Sequence, residues 1–375
     1  MLEAGGDEYA FQFIRKKISD IEITPAQLAL DPCSASAVIT DVNTGEVRAL
    51  VTYPSYDNNK FSGTVDAEYY NKLNNDQSLP LFNNATQAQK APGSTFKPII
   101  AVAALEEGVI GLNDTVNCTG IYKEISPALR CWIYPGQHGP LDVVHGIQNS
   151  CNVFFSEMGH RLSMDENGNY SPEFGIEKIR KYASLFGLDE TSGIEIAERE
   201  PQMTTEKPEA SSIGQGKNSY SNVQLSRYIT AVANKGTVFK LSLLDKMTDS
   251  QENLLEDFTP EVRSVIDVKD STWNAVHTGM RRVISDGSAR KIFSDLEVDI
   301  AGKTGTAEEI KNGHRINHAF FVSFAPYSNP EIAVTVNIPY GYAGTNAATL
   351  GKKVYEYYYG YTTLEQVLGS GASSV

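Results

Sequence analysis

The sequence predicts an α+β domain in which one sheet is assembled from the two ends of the chain. Two observations carry this expectation. Runs rich in Val, Ile, Thr and Phe sit near the start, at Ser36–Val42 and Glu46–Val51, and again near the end, at Ile300–Thr306, His318–Pro326 and Glu331–Pro339. Between them apolar residues recur at helical spacing. Such segregation of strands and helices is the α+β pattern.

The elements follow in order. Tyr9–Ile21 places Phe11, Ile14, Ile18 and Ile21 on one helical face, and Thr24-Pro25 stops it before a polar connector to Pro32. Ser36–Val42 and Glu46–Val51 pair as a hairpin through Asn43-Thr44-Gly45. From Tyr53 to Lys90 the composition turns to Asn, Asp and Gln, the reading of loop with short helices. A helix opens near Ser94 and ends near Gly108. Leu112–Pro140 is irregular, Leu141–Arg161 helical, Met164–Pro172 a polar insert, and Ile176–Phe186 a helix ending at Gly187. Val223–Asn234 and Trp273–Ile284 read as helices, Thr237–Lys246 as a strand, and Ala347–Tyr359 as a closing helix.

With 375 residues, 41% hydrophobic and 21% charged, the chain is globular with ample core. Its net charge of −14 supplies no basic stripe, which excludes a nucleic-acid partner and a surface drawn to anionic lipid. No apolar run reaches the roughly 18 residues of a membrane span, and Met1–Asp7 lacks a signal-peptide layout. The stretch reads as soluble, the pattern of a cytoplasmic protein or of the ectodomain of an anchored one.

The chemistry centres on Pro92-Gly93-Ser94-Thr95-Phe96-Lys97-Pro98. Three-residue spacing on a helix puts Ser94 and Lys97 on one face, where a desolvated lysine can take the serine's proton. An ordinary helix start, with Ser94 as cap and Lys97 solvated, would look the same. Two further motifs decide between these readings: Ser150-Cys151-Asn152 inside the predicted helix Leu141–Arg161, and Gly302-Lys303-Thr304-Gly305-Thr306 on a predicted strand.

S-x-x-K, S-x-N and K-T-G in this order resemble the signature of penicillin-binding proteins and class A β-lactamases. Asn84–Pro98, Ser212-Ile213-Gly214-Gln215-Gly216 and His318–Pro326 also resemble penicillin-binding transpeptidases, so the likeness runs over residues 33–360. It is strongest to the class B type of D,D-transpeptidase. The resemblance implies a serine β-lactamase/D,D-peptidase-like fold, a central antiparallel sheet flanked by helices, with a helical subdomain. It makes 1–32 the remnant of an N-terminal pedestal and membrane region, and 361–375 a tail. It implies peptidoglycan stem peptides as substrate, β-lactam antibiotics as covalent inhibitors, a membrane glycosyltransferase as partner, and a place on the extracytoplasmic face of a bacterial cell membrane.

Residue by residue, the resemblance makes Ser94 the nucleophile, Lys97 its base, Ser150 a proton relay to the leaving amine, and Asn152 a holder of both Lys97 and the substrate backbone. Lys303 would stay charged, Thr304 and Thr306 would bind the substrate carboxylate, and the N–H groups of Ser94 and Thr306 would form the oxyanion hole. Gly302 and Gly305 would let the substrate approach the strand edge. A β-lactamase is the first alternative, but the E-x-x-L-N pattern expected between the second and third motifs is missing, and Glu166-Asn167 is not that motif. A β-lactam sensor and a D,D-carboxypeptidase are the others.

Cys118, Cys131, His138 and Cys151 lie at C-x12-C-x6-H-x12-C, a donor set suited to tetrahedral zinc. Some class B enzymes carry a metal at the corresponding place. A Cys118–Cys131 disulfide and free thiols are the alternatives. Cys33 stands apart and reads as unpaired, and His145, Glu157 and Glu166 read as helix-face or loop residues.

Overall fold

A computed structural model describes residues 6–19, 34–311 and 313–368. Thr24-Pro25, the connector to Pro32 and Cys33 lie outside the described residues.

Five strands form the main sheet: β1 (Ala35–Asp41), β2 (Val47–Tyr53), β3 (Ala301–Lys311), β4 (His314–Ala325) and β5 (Ile332–Ile338). Their order is β3-β4-β5-β1-β2, antiparallel throughout, so the expected union of the two chain ends is what the structure has. Ala37 faces Val336 and Val38 faces Thr335 across that union. In the hairpin turn Gly45 adopts φ +75°, and a Cβ there would lie 2.4 Å from the Phe239 side chain.

The helices are α1 (Gly6–Ser19), α2 (Lys97–Glu106), α3 (Val143–Gln148), α4 (Asn152–Leu162), α5 (Pro172–Leu185), α6 (Asn222–Ala233), α7 (Asp270–Ser285) and α8 (Gly344–Tyr358), with shorter helices between them. Strand alternation divides the packing between the two faces of the sheet. Thr40 reaches α6 at Thr230 (2.6 Å), whereas Ser323, on the other face, reaches Tyr355 of α8 (2.9 Å). In α2 every residue from Lys97 to Leu105 is buried, the pattern of a helix enclosed on all sides.

Three departures from expectation have physical causes. The predicted helix Leu141–Arg161 is broken in two, because Ser150 takes the left-handed conformation (φ +50°) and Cys151 then caps α4. The irregular stretch Leu112–Pro140 contains two small antiparallel pairs, Val116–Cys118 with Gly139–Leu141 and Ile121–Tyr122 with Leu129–Arg130. The strand expected over Thr237–Lys246 ends at Lys240 and pairs with Glu261–Val265, while Lys246–Thr248 joins a separate exposed hairpin with Leu254–Asp257.

Candidate active site

Ser94 sits in a 3₁₀ turn, Gly93–Phe96, that runs into α2 at Lys97; Pro98 is preset for the first turn of that helix. Three glycines let the surrounding backbones stack on this turn. Gly93 has φ +54° and donates its N–H to Gly214 O at 3.0 Å. A Cβ on Gly93 would meet Thr306 O at 2.7 Å, one on Gly214 would meet Gly93 O at 1.9 Å, and one on Gly305 would meet Thr95 Cγ2 at 2.8 Å. Segments separated by more than a hundred residues are thereby held in contact at Ser94.

The second motif reaches the same place through the break between α3 and α4. Lys97 Nζ donates to Ser150 O at 2.7 Å and to Asn152 Oδ1 at 2.7 Å, with Ser150 Oγ at 3.4 Å. The left-handed turn at Ser150 aims its carbonyl at Lys97. That conformation costs on the order of 1–2 kcal/mol for a non-glycine residue, and a hydrogen bond to a charged donor offsets a cost of that size. From β3, Lys303 Nζ donates to Ser150 Oγ at 2.8 Å and to Thr304 O at 3.0 Å. Lys97 and Lys303 are thus joined at Ser150, Asn152 bonds Lys97, and Ser94 lies one turn before Lys97.

Burial sets the protonation of both lysines. Loss of water brings Lys97 down to about 8, despite the opposing pull of Cys151 and Cys131. Lys303, fully buried, is pushed well below the ordinary lysine range by burial and then by Lys97. Burial thus works against the charge expected of Lys303. A carboxylate arriving beside it would favour the ammonium.

Thr304 Oγ1 lies 3.1 Å from Ser288 Oγ, and Thr306 Oγ1 accepts the Gly344 N–H at 3.1 Å. The Asn152 amide is already engaged at both ends, Oδ1 by Lys97 and Nδ2 on Arg130 O at 3.2 Å, which leaves one N–H for a substrate. Sequence reasoning missed Ser288, whose only signal was the turn-like Ser285-Asp286-Gly287-Ser288 before β3. It also missed Tyr228, which is buried in α6 and donates its hydroxyl to Thr95 O at 3.0 Å. Glu157 and His145 are engaged elsewhere: Glu157 bonds Arg161 and Tyr122, and His145 bonds Asp142 and Arg282.

Cys118, Cys131, His138 and Cys151 converge beside this cleft, with ligand atoms all within 4.8 Å of one another. The Cys118 Sγ–His138 Nδ1, Cys131 Sγ–His138 Nδ1 and Cys131 Sγ–Cys151 Sγ separations are 3.5, 3.7 and 3.9 Å. Zinc–sulfur and zinc–nitrogen bonds of about 2.3 and 2.0 Å give tetrahedral edges of roughly 3.5–3.8 Å, so the donor set fits. The three cysteines are free thiols, not the disulfide alternative. The hydrogen bond between Cys131 and Cys151 brings the Cys131 thiol down to about 4 and pushes Cys151 up.

Comparison with known proteins gives the same picture. The family model "Penicillin binding protein transpeptidase domain" matches residues 35–356. Peptidoglycan D,D-transpeptidase MrdA of Haemophilus influenzae is 31% identical over 355 residues, covering 88% of this chain and 53% of that protein. A solved chain of a peptidoglycan synthase complex aligns with TM-score 0.78 at 26% identity, over 89% of this chain and 57% of its own length. PBP2 of Pseudomonas aeruginosa, solved in complex with WCK 5153, aligns with TM-score 0.74 at 27% identity, over 93% and 77%. The chain spans about half the length of the curated relatives it matches. With the three motifs meeting at one serine and the match running from β1 to α8, this chain belongs to the family of penicillin-binding protein transpeptidase domains.

Proposed function

We propose that this domain is a serine D,D-transpeptidase that cross-links peptidoglycan stem peptides and is acylated by β-lactams. The observation that carries the reading is the pair of lysines on Ser150: Lys97 at its carbonyl and Lys303 at its hydroxyl. Ser94 attacks the carbonyl between two D-alanines, and Lys97, near 8, is neutral often enough to accept its proton. Ser150 passes a proton to the departing amine. The leaving residue ends in a carboxylate, which Thr304, Thr306 and the Lys303 ammonium bind together. Backbone N–H groups of Ser94 and Thr306 stabilise the oxyanion, and the donor peptide adds along β3 beside Gly305.

The Cys118, Cys131, His138 and Cys151 set is assigned a structural zinc. When bound, zinc supplies a cross-link and no chemistry; Cys151 lies between Ser150 and Asn152 and fixes both. A membrane glycosyltransferase is the fitting partner, in line with the synthase complex the chain resembles. Among the described residues no helix is long and apolar enough to cross a membrane. The substrate places the domain on the extracytoplasmic face.

Labelling with a fluorescent penicillin, followed over time, tests the reading. A stable adduct on Ser94, together with transfer of a stem peptide to an amine acceptor, supports it. Rapid release of the label identifies a β-lactamase, hydrolysis without transfer a carboxypeptidase, and a stable adduct with no turnover a sensor. No carboxylate among the described residues hydrogen-bonds Ser94, Lys97, Ser150, Asn152 or Lys303, which favours the long-lived adduct.

A further inference from the structure

Of the two tryptophans, Trp273 is buried and Trp132 is 62% exposed. Trp132 is nevertheless fixed: its indole N–H donates to Asn149 O at 2.9 Å, one residue before Ser150. On its other side the ring lies 5.3 Å from His138. Two residues away, Arg130 gives its carbonyl to the Asn152 amide at 3.2 Å and lays its guanidinium over the exposed Tyr134 ring at 4.8 Å. Among the described residues no carboxylate pairs with Arg130. A large apolar face held in solvent by a bond to the residue before the second motif, on a segment whose Arg130 carbonyl bonds Asn152, does nothing for the core. Rigid aromatic faces of this kind are suited to ligand contact at low entropic cost.

We propose that Trp132, Tyr134 and Arg130 form the shelf that receives the acceptor, the amine-bearing stem peptide that attacks the acyl-enzyme. This rests on the transpeptidase reading. The donor side of the cleft belongs to β3, where Lys303, Thr304 and Thr306 lie; the shelf borders the opposite side, at Ser150 and Asn152. Trp132 covers the aliphatic stem of the residue carrying the amine, and Arg130 meets a stem-peptide carboxylate. In the step so served, the acceptor nitrogen forms a bond to the acyl carbonyl carbon while the Ser94 ester C–O bond breaks. The amine gives up one proton, and Ser94 regains one as it leaves.

The test separates the two half-reactions in the whole chain. Acyl-enzyme formation from a D-alanyl thioester is followed by intact mass, and partition of that adduct between water and an amine-bearing stem peptide by product analysis. Trp132→Ala should leave acylation within about twofold and lower the transfer-to-hydrolysis ratio about tenfold, the usual scale for truncating an aromatic anchor. Trp132→Phe, which keeps a ring without the N–H, should retain most transfer. Arg130→Gln should raise the half-saturating concentration of a carboxylate acceptor and leave that of its amidated form unchanged.

If acylation and transfer fall together in Trp132→Ala, or Trp132→Phe falls as far, Trp132 is a strut of the second motif and the shelf is wrong. No change in any variant also overturns it. Wild-type protein that acylates but only hydrolyses overturns the transpeptidase reading instead, and the shelf with it.

Discussion

Lys97 and Lys303 meet at opposite ends of one residue: Lys97 Nζ lies 2.7 Å from the Ser150 carbonyl and Lys303 Nζ 2.8 Å from its hydroxyl. Two buried amines this close to a common partner are not readily both charged, and burial lowers both. Each amine is thereby easier to deprotonate than a solvated lysine, the property the proposed role of Lys97 requires.

Removal of the nucleophile is the simplest check. Ser94→Ala should abolish covalent penicillin labelling by intact mass while the melting temperature stays near that of the wild type. An adduct that persists would place the reacting serine elsewhere.

The pH dependence follows from Lys97. The base works neutral, so the acylation rate should rise about tenfold per pH unit below about 8 and level off above it. Lys97→Ala should remove that limb and slow acylation severely. Stability moves in the same sense: between about 8 and the unfolded value of 10.5, the unfolded chain binds a proton that the folded chain has released, so the domain gains stability as pH rises there. Stopped-flow acylation across pH 6–10 on the order of one point per half unit is the measurement, and a flat profile would take Lys97 out of the role of base.

Loss of the metal should be felt at the catalytic site. Native mass spectrometry is expected to show one zinc per chain, and Cys118→Ser to weaken its binding by at least about tenfold. Chelation should lower the melting temperature and slow acylation, because Cys151 sits within the second motif. Protein that binds no stoichiometric zinc and is indifferent to chelator would falsify the assignment.

Gly93→Ala introduces both a left-handed alanine and a contact of 2.7 Å with Thr306 O. The conformational part alone costs about 1–2 kcal/mol, and relief of the contact requires β3 to move off the nucleophile turn. Denaturant midpoint and acylation rate should both fall. A variant that loses stability but acylates normally would show that this spacing is not set by Gly93.

Tyr228→Phe leaves the Thr95 carbonyl without its hydroxyl donor in a buried site, a cost of about 1–3 kcal/mol. The acylation rate should drop with little change in penicillin affinity before acylation, since the hydroxyl touches the turn and not the ligand. A change in affinity alone would count against a positioning role.

How much of this was legible in the sequence depended on whether a feature is local. The hairpin at Asn43-Thr44-Gly45 and the strands flanking Tyr327-Ser328-Asn329-Pro330 have their own turn chemistry and alternation, and the structure has them. The three motifs were readable because catalysis constrains residue type at short spacing. The break at Ser150 was not: Asn149-Ser150-Cys151-Asn152 is only a weak break signal within an apolar helical pattern, and the left-handed turn is stabilised by Lys97, 53 residues earlier in the chain. Ser288 and Tyr228 escaped for the same reason, since an isolated hydroxyl shows its partner only after folding. Burial, which a motif does not display, opposes the charge expected of Lys303.

The union of β1 with β5 has a consequence for biosynthesis. Ala35–Asp41 is made almost three hundred residues before the strand it pairs with, Ile332–Ile338. Contacts so distant in sequence are slow to form. The central sheet therefore closes only after β5 has been made, and β3, which brings Lys303 to Ser150, is made shortly before it. A chain still lacking β3 has Ser94 and Lys97 but not Lys303, so the cluster on Ser150 is complete only once that strand is in place.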